Sequence, residues 1–112
     1  MAAEFDLRRL TQLHEHLGSE IPEIVAILLG ELTRAIAEIE AEIEAGDLEA
    51  AALAAHAARN SALMLDAKPT LAALREIEAA ARTEDLAMAK AAREDLREAW
   101  PALRRRLEAT VE

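Results

Sequence analysis

The chain has 112 residues, a formal net charge of −9 and no cysteine. The acidic balance disfavours nucleic acids and anionic membrane surfaces as partners, because both favour a positively charged footprint. The missing cysteines exclude disulfide bonds and zinc–thiolate sites.

Hydrophobic residues make up 53% of the chain, but only Phe5 and Trp100 are aromatic, so the core must be aliphatic and rich in alanine. The Ala, Glu, Leu and Arg content is typical of helical chains, and no β-branched run with a period of two indicates a strand. The length fits one domain over residues 1–112. The longest apolar stretch, 24–29, is too short to span a bilayer, and the N-terminus lacks the regions of a signal peptide. We therefore expect an all-α cytoplasmic protein.

The spacing of apolar residues predicts five helices. The first four lie at about 4–17, 19–45, 47–66 and 69–82. The fifth follows Thr83 or Asp85, either of which can be its N-cap. Gly18, Gly46 and Pro69 mark boundaries between them, and Pro101 predicts a kink or short break in the last helix. The connections are short, so neighbouring helices should run antiparallel. These features predict a four-helix bundle, with the short first helix covering one end.

His56 is the most informative residue, because it lies in a helix composed almost entirely of alanine. On a helical wheel, the core face of this helix holds Leu48, Ala51, Ala55, Ala58, Ala62 and Leu65. His56 lies about 130° from the centre of that face, and Arg59, Asn60 and Leu63 share its side of the helix. The pattern predicts an exposed imidazole with a cation and an amide one turn away.

This arrangement favours phosphoryl chemistry. A neutral imidazole nitrogen can attack an acyl phosphate, and an arginine one turn away can pair with phosphoryl oxygens. The chain carries neither a phosphate-binding Gly-rich loop nor kinase motifs. Any phosphoryl group must therefore arrive from another protein and leave to another, so we do not expect an independent enzyme.

At these residues the sequence resembles the histidine-containing phosphotransfer (HPt) domains of bacterial two-component phosphorelays. The family signature, Ala-His-x-Leu-Lys-Gly, small residues and a later Gly-Ala, is matched by Ala55-His56-Ala57-Ala58-Arg59-Asn60-Ser61-Ala62 and Asp66-Ala67. Further matching segments are Glu44-Ala45-Gly46-Asp47, Leu71, Leu74, Ile77-Glu78 and Arg82-Thr83-Glu84-Asp85. Arg59 stands at the family's lysine and Asn60 at its glycine.

The resemblance implies that His56 accepts a phosphoryl group from a receiver-domain aspartate and passes it to another receiver. Arg59 would pair with the phosphoryl charge, and Asn60 and Leu63 would contact the partner, with parts of the second predicted helix alongside. The partners would be response-regulator receiver domains or a hybrid sensor kinase, and the receiver would supply Mg²⁺. We expect no cofactor bound by the chain itself, and we expect a monomer.

Other interpretations remain at this point. The Arg59 and Asn60 substitutions favour a degenerate module that binds receivers or a kinase without carrying phosphate. His56 could also be an ordinary surface histidine of an unrelated bundle. His14 and His16, two residues apart, face different sides of a helix and make a poor metal pair, so no metal site is expected. The run Arg104-Arg105-Arg106 is interpreted as favourable charge at a helix C-terminus.

Overall fold

The computed structural model describes residues 21–111, and over that range it is helical apart from three short turns. Its helices are α1 (Ile21–Glu44), α2 (Leu48–Met64), α3 (Lys68–Arg82) and α4 (Leu86–Val111). The last four predicted helices are therefore confirmed, with boundaries within about two residues. The first predicted helix, at 4–17, and the cap expected at Ser19 lie outside the described residues.

The helices pack in a closed square. Each one contacts the next along the chain, and α4 returns to contact α1. Because only three residues connect consecutive helices, neighbours run antiparallel. The expected antiparallel four-helix bundle is confirmed, and its α2–α3 edge lies opposite its α1–α4 edge.

The core is aliphatic, and alanine dominates the contribution of α2. The buried stripe of α1 follows the predicted spacing and consists of Val25, Leu28, Leu32, Ile36, Ile39 and Ile43. In α2 the buried residues are all small, namely Ala51, Ala54, Ala55, Ala58, Ser61 and Ala62. Small side chains on its inner face let α2 lie close to its neighbours, as the dense packing of protein interiors requires.

The three turns share one geometry. Gly46, Asp66 and Glu84 each adopt a positive φ, at 77°, 53° and 52°. In each turn the next residue donates its backbone N–H to a carbonyl five residues earlier, at 2.8 to 2.9 Å. This is the Schellman ending of a helix, in which a left-handed residue closes the last turn. Gly46 suits that conformation, whereas Glu84 adopts it against the preference of an L-residue.

The residue after each left-handed position occupies the N-cap of the next helix. Asp47 accepts a hydrogen bond from the N–H of Ala50, and Asp85 accepts one from the N–H of Met88, both at 3.0 Å. Asp85, and not Thr83, is therefore the N-cap of α4, since a cap accepts from the second or third N–H of its helix. Ala67 occupies the equivalent place before α3 without a side-chain cap.

Two expectations for the last helix concern Pro101 and the run Arg104–Arg106, and the second is wrong. Of the kink or short break that Pro101 predicts, the break is absent, since the helix continues through Pro101 to Val111, and the kink stays a prediction. Pro101 is exposed, and the carbonyl that loses its N–H partner belongs to Arg97, which is also an exposed residue. The run Arg104–Arg106 precedes the last turn, which holds no basic residue. Since the helix-dipole effect falls off within that turn, it does not explain the triplet.

Ion pairs join α1 to α4 on the side away from His56. Arg97 donates two hydrogen bonds to Glu40, at 2.8 and 2.6 Å, and also contacts Glu94. The hydrogen bonds to Glu40 raise the pKa of Arg97 above its usual value. Arg93 pairs with Glu44 at 3.2 Å. Arg97 is 46% exposed, so its ion pairs contribute little free energy in water, whereas the Arg93 side chain is only 11% exposed.

Candidate functional site

The α2 helix presents His56 to solvent. The His56 side chain is 63% exposed, whereas Ala55 and Ala58 on either side of it are at most 1% exposed. The predicted core face of α2 is confirmed from Ala51 to Leu65, with Leu48 only half-buried. The predicted exposure of His56 is confirmed as well.

A single carboxylate of α3 holds both His56 and Arg59. Glu78 Oε1 lies 2.9 Å from His56 Nδ1, and Glu78 Oε2 accepts a hydrogen bond from an Arg59 guanidinium nitrogen at 2.8 Å. The Glu78 side chain is only 11% exposed. A carboxylate removed from water in this way needs such partners, because burial without them is costly.

The contact with Glu78 determines which ring nitrogen of His56 carries the proton. An ionised carboxylate is only an acceptor, so Nδ1 must be the donor. In neutral imidazole the second nitrogen, Nε2, then has no proton and offers its lone pair. Because Nδ1 faces Glu78, Nε2 is the nitrogen left for a partner. Orientation of a histidine by a carboxylate on its other nitrogen is also how metal sites and catalytic triads fix the tautomer.

The antiparallel arrangement explains why His56 and Glu78 meet. The turn between α2 and α3 spans residues 65–67; His56 lies 9 residues before it and Glu78 lies 11 residues after it. Residues at similar distances from the turn of a helical hairpin lie at similar heights, since both helices rise by about 1.5 Å per residue, and the difference of two residues is about 3 Å, within the reach of the two side chains. Arg59 lies one turn from His56 and donates to Oε2 of the same carboxylate, whereas His56 contacts Oε1.

Glu78 is the site residue that sequence reasoning missed. It appeared in the resemblance only as part of a family-like segment of α3. The signal that identifies it is a glutamate next to the buried Ile77, at a similar distance from the hairpin turn as the histidine.

The remaining predicted site residues lie on different parts of this face. Asn60 is exposed and lines a shallow groove towards α1 together with Ala57 and Arg34. Leu63 is half-buried and packs against the core, so it is partly a structural residue. Arg59 is 31% exposed, and its charge is shared with Glu78. The structure thus brings His56 and Arg59 together, places Asn60 beside them, and leaves Leu63 at the margin.

No group of three or more histidine or carboxylate side chains that could hold a metal ion occurs within residues 21–111. His14 and His16 lie outside the described residues. No helix of the described part is long and apolar enough to cross a membrane.

A search of solved structures finds histidine-containing phosphotransfer protein B of Pseudomonas aeruginosa PAO1. The TM-score is 0.86, and the match covers 97% of this chain and 95% of that chain at 23% sequence identity. The chain has the fold of a histidine-containing phosphotransfer protein. No family model and no curated protein matches the chain. The resemblance seen around His56 is therefore confirmed for the HPt fold.

Proposed function

We propose that this protein is a phosphoryl carrier of a phosphorelay, with His56 Nε2 as the atom that carries the group. The observation that supports this most strongly is the contact between Nδ1 and Glu78, which leaves Nε2 as the ring nitrogen available to a partner on a side chain that is 63% exposed. The HPt fold and the absence of a nucleotide-binding motif favour transfer between proteins over an independent enzyme.

The proposed step is a single displacement at phosphorus. The Nε2 lone pair attacks the phosphorus of an aspartyl phosphate, and the bond from phosphorus to the carboxylate oxygen breaks. The electron pair leaves with the aspartate carboxylate of the donor receiver. The ring keeps its proton on Nδ1 and becomes positively charged. The negative charge of Glu78 beside Nδ1 offsets that charge, as a buried aspartate does for a catalytic histidine.

Arg59 is the proposed partner of the transferred group. Its guanidinium has several N–H donors, so it can contact Glu78 and a phosphoryl oxygen at the same time. Bonds of this kind, between an ionised donor and an ionised acceptor, are about twice as strong as neutral ones. Mg²⁺ is proposed to come with the receiver, as the resemblance implies, because Glu78, the carboxylate in contact with His56, is already paired with Arg59.

The receiver is proposed to dock over His56, Arg59, Asn60 and Leu63, with the neighbouring side of α1. Ala57 supports this proposal, since its exposed methyl group leaves space beside the imidazole. Transfer of the phosphoryl group in the opposite direction, from His56 to a receiver aspartate, uses the same contacts.

The test is a transfer assay from a panel of phosphorylated receiver domains. We expect acid-labile label on the wild type and none on His56→Gln, which should retain its helicity. His16→Gln is the matched control, because it removes a histidine and should leave labelling intact. Label that persists in His56→Gln would refute the proposal.

A module that binds receivers without carrying phosphate is the second candidate. It is favoured by Asn60, an exposed side chain at the position where the family has glycine. Receiver affinity that is unchanged in His56→Gln, together with no phosphohistidine from any receiver, would support this candidate instead. Asn60→Gly distinguishes the two further, since it should speed transfer only in a carrier.

A further inference from the structure

A groove adjoins His56 on the side away from Asn60. It lies at the end of the bundle where the α1–α2 and α3–α4 turns come together, and His56 and Glu78 line its inner end. We call it the end groove. Leu48, Leu53 and Leu86 form its apolar surface. Its acidic rim consists of Asp47, Glu49 and Glu84.

Exposed leucines concentrate in the end groove. Within residues 21–111 the exposed large hydrophobic residues are Ile27, Leu53 and Leu86, and the last two both line the groove. Leu53 is 67% exposed and lies one turn before His56 on α2. Single exposed leucines are ordinary, but two in one concave surface beside a reactive side chain indicate a contact surface.

The rim of the end groove is acidic. Three carboxylates, of Asp47, Glu49 and Glu84, face one guanidinium, of Arg82. The Asp47 carboxylate caps α2, whereas the side chains of Glu49 and Glu84 make no hydrogen bond or ion pair with a described residue. Within residues 21–111 no cation is therefore paired with either of these two carboxylates.

We propose that the end groove binds a basic side chain of the receiver, with its methylene stem on Leu53 and Leu86 and its cation against Glu49 and Glu84. This inference rests on the proposed function and names a second contact of the same partner. Lysine and arginine fit because their stems cover apolar surface while their charged ends reach polar groups. An acidic side chain would be repelled by the rim. An apolar one would remove the carboxylates from water without pairing them, which is unfavourable.

The test compares two double charge reversals. Glu49→Lys with Glu84→Lys changes the rim, and Glu76→Lys with Glu98→Lys makes the same change in net charge at the α3–α4 seam. The probe is the unphosphorylated receiver of the panel that binds the wild type most tightly. We expect the rim variant to raise Kd by about tenfold or more, and the seam variant by less than about threefold, since complementary charges at close range dominate such effects. Leu53→Ser should also weaken binding. Circular dichroism checks that each variant is folded.

Equal Kd values for the rim and seam variants, or unchanged binding by Leu53→Ser, would overturn the end-groove proposal. So would a wild-type dimer that Leu53→Ser dissociates, because a second copy would then occupy the groove. These outcomes leave transfer to His56 untouched, since labelling at saturating receiver is measured separately. Failure of every receiver to bind the wild type would overturn both proposals.

Discussion

Glu78 Oε1 lies 2.9 Å from Nδ1 of His56, across the seam between α2 and α3. The glutamate is nearly buried and the histidine is mostly exposed, at 11% and 63% of their side-chain surfaces. An anchored carboxylate thus orients an accessible ring, and Nε2 is the ring nitrogen that this contact leaves for a partner. The proposed carrier function depends on this relationship more than on any other contact.

Removing the carboxylate should release the ring. We expect Glu78→Ala to lower the transfer rate by about 10- to 100-fold, the usual cost of losing the partner that orients a histidine ligand. Glu78→Gln should lose less, because its amide oxygen still accepts from Nδ1. The ¹⁵N shifts of the imidazole should show a proton on Nδ1 in the wild type and a mixture of tautomers in Glu78→Ala. Glu76→Ala is the control, and a wild-type ring protonated on Nε2 would contradict the assignment.

Arg59 should affect both stability and transfer. Arg59→Ala leaves the nearly buried Glu78 carboxylate without its cation, and we expect a loss of about 1 kcal/mol in the free energy of unfolding. Arg59→Lys should recover part of the transfer rate, since it keeps the charge but not the fork of donors. Urea denaturation and the transfer assay measure the two effects. Arg75→Ala removes an exposed arginine of α3 as a control, and an equal loss of stability there would contradict the role of the Glu78 pair.

The alanines of α2 should separate into two classes. Ala55 is fully buried, so Ala55→Leu should cost about 1–3 kcal/mol through overpacking. Ala57 is exposed, so Ala57→Leu should change stability by less than about 0.5 kcal/mol. It should nevertheless slow transfer, because a larger side chain beside His56 obstructs the receiver. Thermal melts with transfer rates test the pair, and fast transfer by Ala57→Leu would show that the approach to His56 lies elsewhere.

The fold followed from local patterns because the apolar stripes of α1 and α4 and the stops at Gly46 and Pro69 carry strong helix signals. The wheel placed His56 correctly for the same reason. Glu78 was missed because its importance depends on contact between two helices, which a single-helix wheel does not contain. The helix continues through Pro101 because tertiary packing on both sides of the exposed proline outweighs the loss of one hydrogen bond.

The backbone geometry of the turns could be predicted only in part from the sequence. Gly46 signals a left-handed helix end, but Asp66 and Glu84 adopt the same conformation without glycine. At those positions the length of the connection and the packing of the helices impose the backbone angle, and the residue type does not reveal it.

The positive φ of Glu84 should therefore strain the backbone, and a substitution by glycine should remove that strain. We expect Glu84→Gly to stabilise the protein by about 0.5–1 kcal/mol, because glycine adopts a positive φ without the clash of a Cβ atom. Gly46→Ala should destabilise it by about 1 kcal/mol for the same reason. Asp66→Gly should gain less, since aspartate tolerates the left-handed region better. Denaturant midpoints measure all three, and a destabilised Glu84→Gly would show that its side chain makes a compensating contact.

The most direct test of the central claim is to locate the phosphoryl group on the wild-type protein after incubation with a phosphorylated receiver. Peptide mapping under alkaline conditions identifies the residue, and ³¹P and ¹⁵N NMR identify the ring atom. We expect a phosphoryl group on Nε2 of His56. Phosphorylation of Nδ1, label on another residue, or no phosphohistidine with any receiver of the panel would contradict the account.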